Sequence, residues 1–139
     1  MRKEREKEKE ALVLTIEMLK FDDNTRVLLE TLCIPAWILD PQKKKMVWGN
    51  PKALKLLGKG SVEELHASDT KMSESTLIRV ASYMKKIEQG ESVTEQWTLY
   101  PNGKPVTMKL TCSGIVYDGN FCALVQANHM EQPVSNEVS

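Results

Sequence analysis

The strongest constraint on the fold is the pair Asn102-Gly103, which separates two segments of alternating apolar and polar residues. Such a pair predicts a two-residue β-hairpin turn, because both of its residues tolerate the positive φ that the turn requires. The turn fixes which residues face each other across the two strands: Leu99 and Val106, Trp97 and Met108, Glu95 and Leu110, Val93 and Cys112. The predicted hairpin has one apolar face and one face rich in threonine.

A second turn, predicted at Asp118-Gly119, adds a third strand to this hairpin. The same register across that turn extends the apolar face by four side chains: Phe121, Ala123, Val125 and Ala127. The opposite face carries a smaller apolar patch near the second turn, formed by Ile115, Cys122 and Leu124. We expect a helix to cover this patch, because an apolar patch on a sheet is usually buried.

The register also separates the two cysteines of the last two strands. Cys112 and Cys122 point to opposite faces of the sheet, so we expect both to remain thiols. The third cysteine, Cys33, and the two histidines, His66 and His129, lie far apart in the sequence, and no CxxC spacing occurs. The sequence therefore predicts no metal site.

Two apolar stripes at helical spacing follow a charged segment at the N-terminus, one formed by Leu12, Ile16 and Leu19 and the other by Leu14, Met18 and Phe21. Each of the two apolar stripes has to be buried against another surface. We expect one stripe to lie on the domain's own sheet and the other against a second copy of the helix; the alternative is that both pack within the monomer. The predicted dimer contact comprises Leu12, Leu14, Ile16, Met18, Leu19, Ile115 and Leu124.

Further elements are predicted between these stripes and the hairpin. A second helix follows the N-capping residues Asp22 to Asn24, and two strands follow at Cys33–Asp40 and Lys45–Asn50. Next come a short helix from Asn50-Pro51 to Gly58, a helical turn opened by Ser61 to Glu64, and a long helix within 73–90. This order of elements predicts an α+β fold. We expect a five-stranded antiparallel sheet with short helices and one long helix on one face, preceded by N-terminal amphipathic helices. The expected divisions are a helical extension at 1–32, one domain at 33–130, and a polar tail or linker at 131–139.

Composition argues against several function classes. The chain has 139 residues, a formal net charge of zero and a pI of about 6.7, so its overall field does not favour nucleic acid or an anionic membrane. It has no run of about 18 apolar residues and no apolar core of a signal peptide. We therefore expect a cytoplasmic protein without nucleic-acid or membrane partners.

Two segments resemble the PAS family of sensor domains. IPAWILDPQKKKMVWGNPKALKLLG is similar to the family's opening, and ESVTEQWTLYPNGKPVTMKLTCSGIVYDGNFCALVQANH is similar to its closing three-stranded meander, so the resemblance covers about Leu28 to His129. Asp40 and Asn50 occupy the family's recurrent strand-end and helix-start positions. The resemblance implies sensing, homodimerisation and signal relay to an attached effector, such as a kinase, a cyclase, a phosphodiesterase or a transcription factor.

The sequence departs from two cofactor-binding subclasses of that family. The segment HASDTKMSEST lacks the Asn-Cys-Arg-Phe-Leu-Gln motif of the flavin-binding LOV subclass, and 73–90 lacks the histidine of haem-binding members. His66 is a weaker alternative as an axial ligand. We expect no cofactor, and because neither a nucleophile-base pair nor a phosphate-binding loop is recognisable, we expect no enzyme.

Glu95 is unusual because the register places a carboxylate on the apolar face. In a functional role, the Glu95 side chain would contact a ligand or form an ion pair in a pocket. In a structural role, a bulge or an edge position would let the side chain reach water. The candidates for lining a pocket are Trp37, Trp48, Tyr83, Met84, Glu95, Trp97 and Met108, although such side chains also form ordinary cores. A small-molecule receptor, with its pocket between the long helix and the sheet, is thus the alternative to a relay and dimerisation module.

Overall fold

The structure is a computed structural model that describes residues 19–67, 72–100 and 103–129, except for the side chain of His129. Its strands are β1 (Leu19–Lys20), β2 (Ala36–Asp40), β3 (Lys45–Gly49), β4 (Val93–Leu99), β5 (Val106–Tyr117) and β6 (Asn120–His129). Its helices are α1 (Asp23–Glu30), α2 (Pro51–Leu57), α3 (Val62–Ala67) and α4 (Glu74–Ile87). None of the helices in these ranges is long and apolar enough to cross a membrane.

The six strands form one sheet. Five of them lie in the order β3-β2-β6-β5-β4 with four antiparallel pairs, and β1 adds a short parallel pair with β5. This confirms the predicted α+β class, and the five predicted strands form the antiparallel part of the sheet. The register across β4 and β5 matches the prediction at all four pairs, from Leu99 opposite Val106 to Val93 opposite Cys112. Asp118 and Gly119 have φ of 50° and 79°, as the predicted two-residue turn requires. Gly103 has a φ of 80°, and its N–H donates to the carbonyl of Tyr100 at 3.1 Å; its neighbour Asn102 lies outside the described residues.

The N-terminal edge of the described chain corrects one prediction. Leu19 and Lys20 are extended rather than helical, and they pair in parallel with Ile115 and Val116 of β5. Strand β4 ends its pairing with β5 at Cys112, so this stretch of the β5 edge would otherwise lack a strand partner. Four of the predicted stripe residues, Leu12, Leu14, Ile16 and Met18, lie outside the described residues.

Polar side chains fix the ends of the helices and of β2. Asp22, Asn50 and Ser73 are the N-caps of α1, α2 and α4, and Gly58 ends α2 in the left-handed conformation. Asn50 is fully buried: its Oδ1 accepts from the backbone N–H groups of residues 36 and 53, and its Nδ2 donates to the carbonyls of residues 29 and 34. Asp40 closes the β2–β3 turn by accepting from the N–H groups of residues 42 and 43.

The sheet separates two apolar clusters, which we call the inner and the outer cluster. The inner cluster lies between the sheet and α4, and it includes Trp37, Leu39, Val80, Tyr83, Met84, Ile87, Met108, Leu110, Cys112, Ala123 and Val125. The outer cluster lies under α1, and it comprises Leu29, Ala36, Ile38, Val47, Trp48, Ile115, Cys122 and Leu124. Within the described chain the outer patch is thus covered by α1 and its flanking residues Phe21 and Leu32.

Ile115 and Leu124, predicted at the dimer contact, are buried within this chain. Both side chains belong to the outer cluster, as do Leu29 and Trp48. A contact with a second copy would have to use other side chains, because these two have almost no exposed surface.

Candidate functional site

A cavity of about 270 Å³ lies between α4 and the inner face of the sheet. The described residues of its lining are largely apolar and include no charged side chain: Trp37, Leu39, Met46, Met72, Thr76, Val80, Tyr83, Trp97, Thr98, Leu99, Tyr100, Leu110, Cys112, Ala123 and Val125. The cavity is partly open to solvent, and it is larger than the voids that close packing normally leaves. Cavities of this kind are the usual sites of small ligands.

The helical and strand periodicities place these lining residues on the faces of α4 and of the sheet that surround the cavity. Thr76, Val80 and Tyr83 follow one face of α4, because residues three and four apart lie on the same side of a helix. Trp37 and Leu39 alternate along β2 with residues of the outer cluster. Tyr100 lines the cavity and is also well exposed, so the mouth lies beside the end of β4.

Four side chains join α4 to β4 at the wall of the cavity. Arg79 Nη2 donates to Glu95 Oε1 at 2.7 Å, and the Tyr83 hydroxyl donates to the same oxygen. The Tyr83 oxygen in turn accepts from Trp97 Nε1 at 3.1 Å. The Arg79 guanidinium also lies 3.8 Å from the centroid of the Trp97 ring, within cation–π range. We call these four residues the α4–β4 network.

The network perturbs the pKa values of its own members. The pKa of Glu95 is lowered by the hydrogen bonds from Tyr83 and Arg79, which stabilise the carboxylate. Burial raises the pKa of Tyr83, and its hydrogen bond to Glu95 raises it further, so the phenol stays protonated. The hydrogen bond to Glu95 raises the pKa of Arg79. At neutral pH the network is therefore an ion pair with a neutral phenol donor.

Solved structures share this architecture. The PAS domain of nitrogen regulation protein NR(II) from Vibrio parahaemolyticus matches 78% of this chain and 100% of its own, at 22% identity and a TM-score of 0.57. The PAS domain of an HTR-like protein from Haloarcula marismortui matches 92% of this chain and 99% of its own, at 16% identity and a TM-score of 0.57. A domain of a sensory box sensor histidine kinase/response regulator from Geobacter sulfurreducens matches 76% and 92%, at 20% identity and a TM-score of 0.54.

The chain has the PAS fold. No family model matches the sequence, and no curated protein matches it either. At these identities the match with solved structures concerns the fold alone.

The predicted pocket residues occupy different places in this PAS fold. Trp37, Tyr83 and Trp97 line the cavity. Met84 and Met108 belong to the inner cluster without lining the cavity. Glu95 lies opposite Leu110, as its register predicted, but its side chain is half exposed at the edge strand and pairs with Arg79.

Trp48 lies on the opposite side of the sheet, which corrects its prediction as a pocket residue. The register between β2 and β3 shifts after Ile38, so that Trp48 faces Ile38 while Met46 faces Leu39. This bulge at Val47 places Met46 in the cavity and Trp48 in the outer cluster, against Phe21. Strict alternation would have placed Met46 and Trp48 on the same face.

Sequence reasoning did not identify Arg79 as part of the site. It lies one helical turn before Tyr83 and therefore shares a face with a residue that was identified. The available signal was the carboxylate of Glu95 on the apolar face, for which an ion pair was one of the alternatives and an edge position reaching water was another.

His66, the weaker alternative for an axial ligand, makes a structural contact. Its Nε2 donates to the carbonyl of Val47, the bulged residue, which also accepts from the Tyr117 hydroxyl at 3.4 Å. His66 does not line the cavity. Among the residues that the structure describes, no three His, Cys, Asp or Glu side chains are grouped to hold a metal ion.

Proposed function

We propose that this PAS domain is a non-catalytic sensory module, and that a small molecule in the inner cavity is its signal. The observation that carries the proposal is the 270 Å³ apolar cavity, which lies between α4, the longest of the described helices, and the inner face of the sheet. An apolar void of this size costs free energy when empty, so a ligand that fills it stabilises the domain.

The α4–β4 network offers a route by which occupancy would change the domain's conformation. Tyr83 and Trp97 both line the cavity and both belong to the network, so a ligand that moves either ring also moves the pair of Arg79 and Glu95. A ligand shifts such an equilibrium by its different affinity for the two arrangements. We propose that an attached effector domain reads this shift; the domains of this fold in a nitrogen regulation protein and a sensor histidine kinase support that role.

Native mass spectrometry of protein purified from cells tests the sensory role. We expect a fraction of the molecules to carry an additional mass that organic solvent extracts, and we expect its removal to lower the melting temperature. A single mass at all stages, with no change in melting temperature after extraction, would contradict a ligand-sensing role.

We also propose homodimerisation through the N-terminal segment that contains Leu12, Ile16 and Leu19. In support, Leu28 of α1 is 67% exposed close to that segment in sequence, which leaves an apolar surface on the outer side of the domain. Analytical ultracentrifugation of Leu28→Asp tests this, with Ile78→Asp on α4 as the control because Ile78 is equally exposed, at 65%. We expect the first variant alone to be monomeric; two variants with the wild-type mass would exclude Leu28 from a dimer contact.

A cytoplasmic location is also part of the proposal. Cys33, Cys112 and Cys122 are all free, which suits a reducing compartment.

A further inference from the structure

The indole N–H of Trp37 is a buried hydrogen-bond donor without a partner. Trp37 is 3% exposed and lines the cavity, and no atom of the described chain accepts a hydrogen bond from it. The indole of Trp97, in the same wall, does donate to Tyr83. Buried indole N–H groups are normally paired, because leaving one unpaired costs free energy.

Other polar groups of the wall are already engaged. The Tyr83 hydroxyl donates to Glu95 and accepts from Trp97, and the Thr98 hydroxyl pairs with that of Thr107 at 3.0 Å. The Cys112 thiol is a weak donor, and burial raises its pKa to about 11, so it stays protonated. Thr76 and Tyr100 are more exposed, towards the mouth. Among the buried residues of the described lining, Trp37 thus carries the one strong donor without a partner.

Charge and size restrict the ligand further. A charged ligand would lose its hydration without gaining an opposite charge from the described part of the lining, which has no charged side chain. An apolar cavity of about 150 Å³ is known to hold benzene. The 270 Å³ here has room for a molecule of two fused rings.

We propose that the ligand is a small, uncharged, mostly apolar molecule with a hydrogen-bond acceptor, such as a ring nitrogen or a carbonyl oxygen, and that Trp37 Nε1–H donates to this acceptor. This inference rests on the proposed sensory function of the cavity. It goes further by naming the ligand's chemical class and the residue that selects it.

Calorimetric titration of the full chain at neutral pH tests the inference with three fused-ring probes of nearly equal shape. Naphthalene has no acceptor, whereas quinoline and isoquinoline carry an unprotonated nitrogen at two different positions. The variant is Trp37→Phe. The control is Trp48→Phe, because Trp48 is equally buried with no hydrogen-bond partner in the described chain, but lies in the outer cluster away from the cavity.

We expect Trp37→Phe to weaken binding of at least one nitrogen heterocycle by roughly three- to tenfold, the contribution of one hydrogen bond. Naphthalene binding should weaken by a smaller factor, because naphthalene has no acceptor and loses only apolar contacts with the smaller ring. Trp48→Phe should leave all three affinities unchanged. An equal loss for naphthalene and both heterocycles would overturn the role of the Trp37 donor.

A second measurement uses the wild-type chain and does not depend on the folding of a variant. The indole ¹H resonance of Trp37 should move downfield with quinoline or isoquinoline and not with naphthalene, because a new hydrogen bond deshields the proton. Equal shifts with all three probes would also overturn the inference. 2-Naphthoate should not compete with quinoline; its binding with equal affinity would overturn the restriction to uncharged ligands.

The failure of the two proposals can be told apart. If naphthalene and both heterocycles fail to bind the wild type, the cavity is not a receptor for small molecules, and the sensory proposal falls together with the inference. If they bind without regard to the acceptor, the sensory proposal stands and the inference alone is overturned.

Discussion

The two faces of the sheet carry similar aromatic side chains, but these pack closely on the outer face and surround a cavity on the inner face. On the outer face, Phe21 packs against Trp48 and Tyr117, with ring centroids 5.0 Å apart in both pairs, and Ile38, Ile115 and Cys122 have no exposed surface. On the inner face, Trp37, Tyr83 and Trp97 surround a cavity of 270 Å³. Close packing on one face can maintain the fold while the other face keeps a void. Under the proposed function, stability and ligand binding belong to opposite sides of the same strands.

The largest expected effect compares two leucines of equal burial. Leu124 in the outer cluster and Leu110 at the cavity are each 4% exposed, and both lie in central strands. Leu124→Ala should lower the free energy of unfolding by about 4 kcal/mol, because it opens a new cavity in a close-packed region. Leu110→Ala should cost about 2 kcal/mol, because part of its side chain already borders a void. Urea denaturation measures both, and equal losses would mean that the inner face is as closely packed as the outer.

A smaller loss of stability is expected at Gly114, where the inner face of the sheet is closely packed and lies outside the cavity lining. A Cβ on Gly114 would lie 2.8 Å from Cζ of Phe121 and 3.0 Å from Cγ2 of Ile87, near the C-terminal end of α4. Gly114→Ala should therefore cost about 2 kcal/mol in unfolding free energy through overpacking. Gly49→Ala is the control, because the nearest atom there, Ala53 Cβ, is at 3.4 Å. A neutral Gly114→Ala would show that the void continues to this end of the sheet.

The two buried cysteines compare access to the two faces. Burial raises the pKa of Cys112 and of Cys122 to about 11 in each case, so their thiolate fractions are alike. A small neutral thiol reagent should modify Cys112 about tenfold faster than Cys122 in a Cys33→Ser background, because Cys112 borders the cavity whereas Cys122 becomes accessible by local unfolding. Mass spectrometry of the modified peptides gives both rates. Equal rates would indicate that the cavity does not admit the reagent.

The smallest effect concerns the α4–β4 network at the cavity wall. The pKa of Glu95 in the folded state is lowered below its ordinary value of 4.5. The ion pair with Arg79 is therefore fully formed at pH values above 4.5, and it is lost as the pH falls through the folded-state pKa. Quenching of tryptophan fluorescence by acrylamide should therefore rise by less than about twofold on acidification, because exposed ion pairs contribute little. Glu95→Gln should show the raised quenching at neutral pH and no such acid transition. A transition that survives in Glu95→Gln would assign it to another group.

Much of the fold followed from short-range signals in the sequence. The turn at Asn102-Gly103 was enough to predict the whole β4–β5 register, and Asp118-Gly119 correctly separated Cys112 from Cys122. The site was less accessible to such reasoning. The bulge that moves Trp48 to the outer face is one extra residue without a turn signal, and the partner of Glu95 depends on how α4 crosses the sheet.

The sequence by itself determined the five antiparallel strands, the registers of the β4–β5 and β5–β6 pairs and the helix caps, because turn geometry, the two-residue period of strands and capping hydrogen bonds act between near neighbours in the chain. The tertiary structure decided that Leu19–Lys20 joins β5, that Arg79 meets Glu95, and that a void remains beside Trp37. The first outcome depends on the β5 edge that β4 leaves unpaired, and the other two depend on the distance between α4 and the sheet, which is set by the packing of many side chains together.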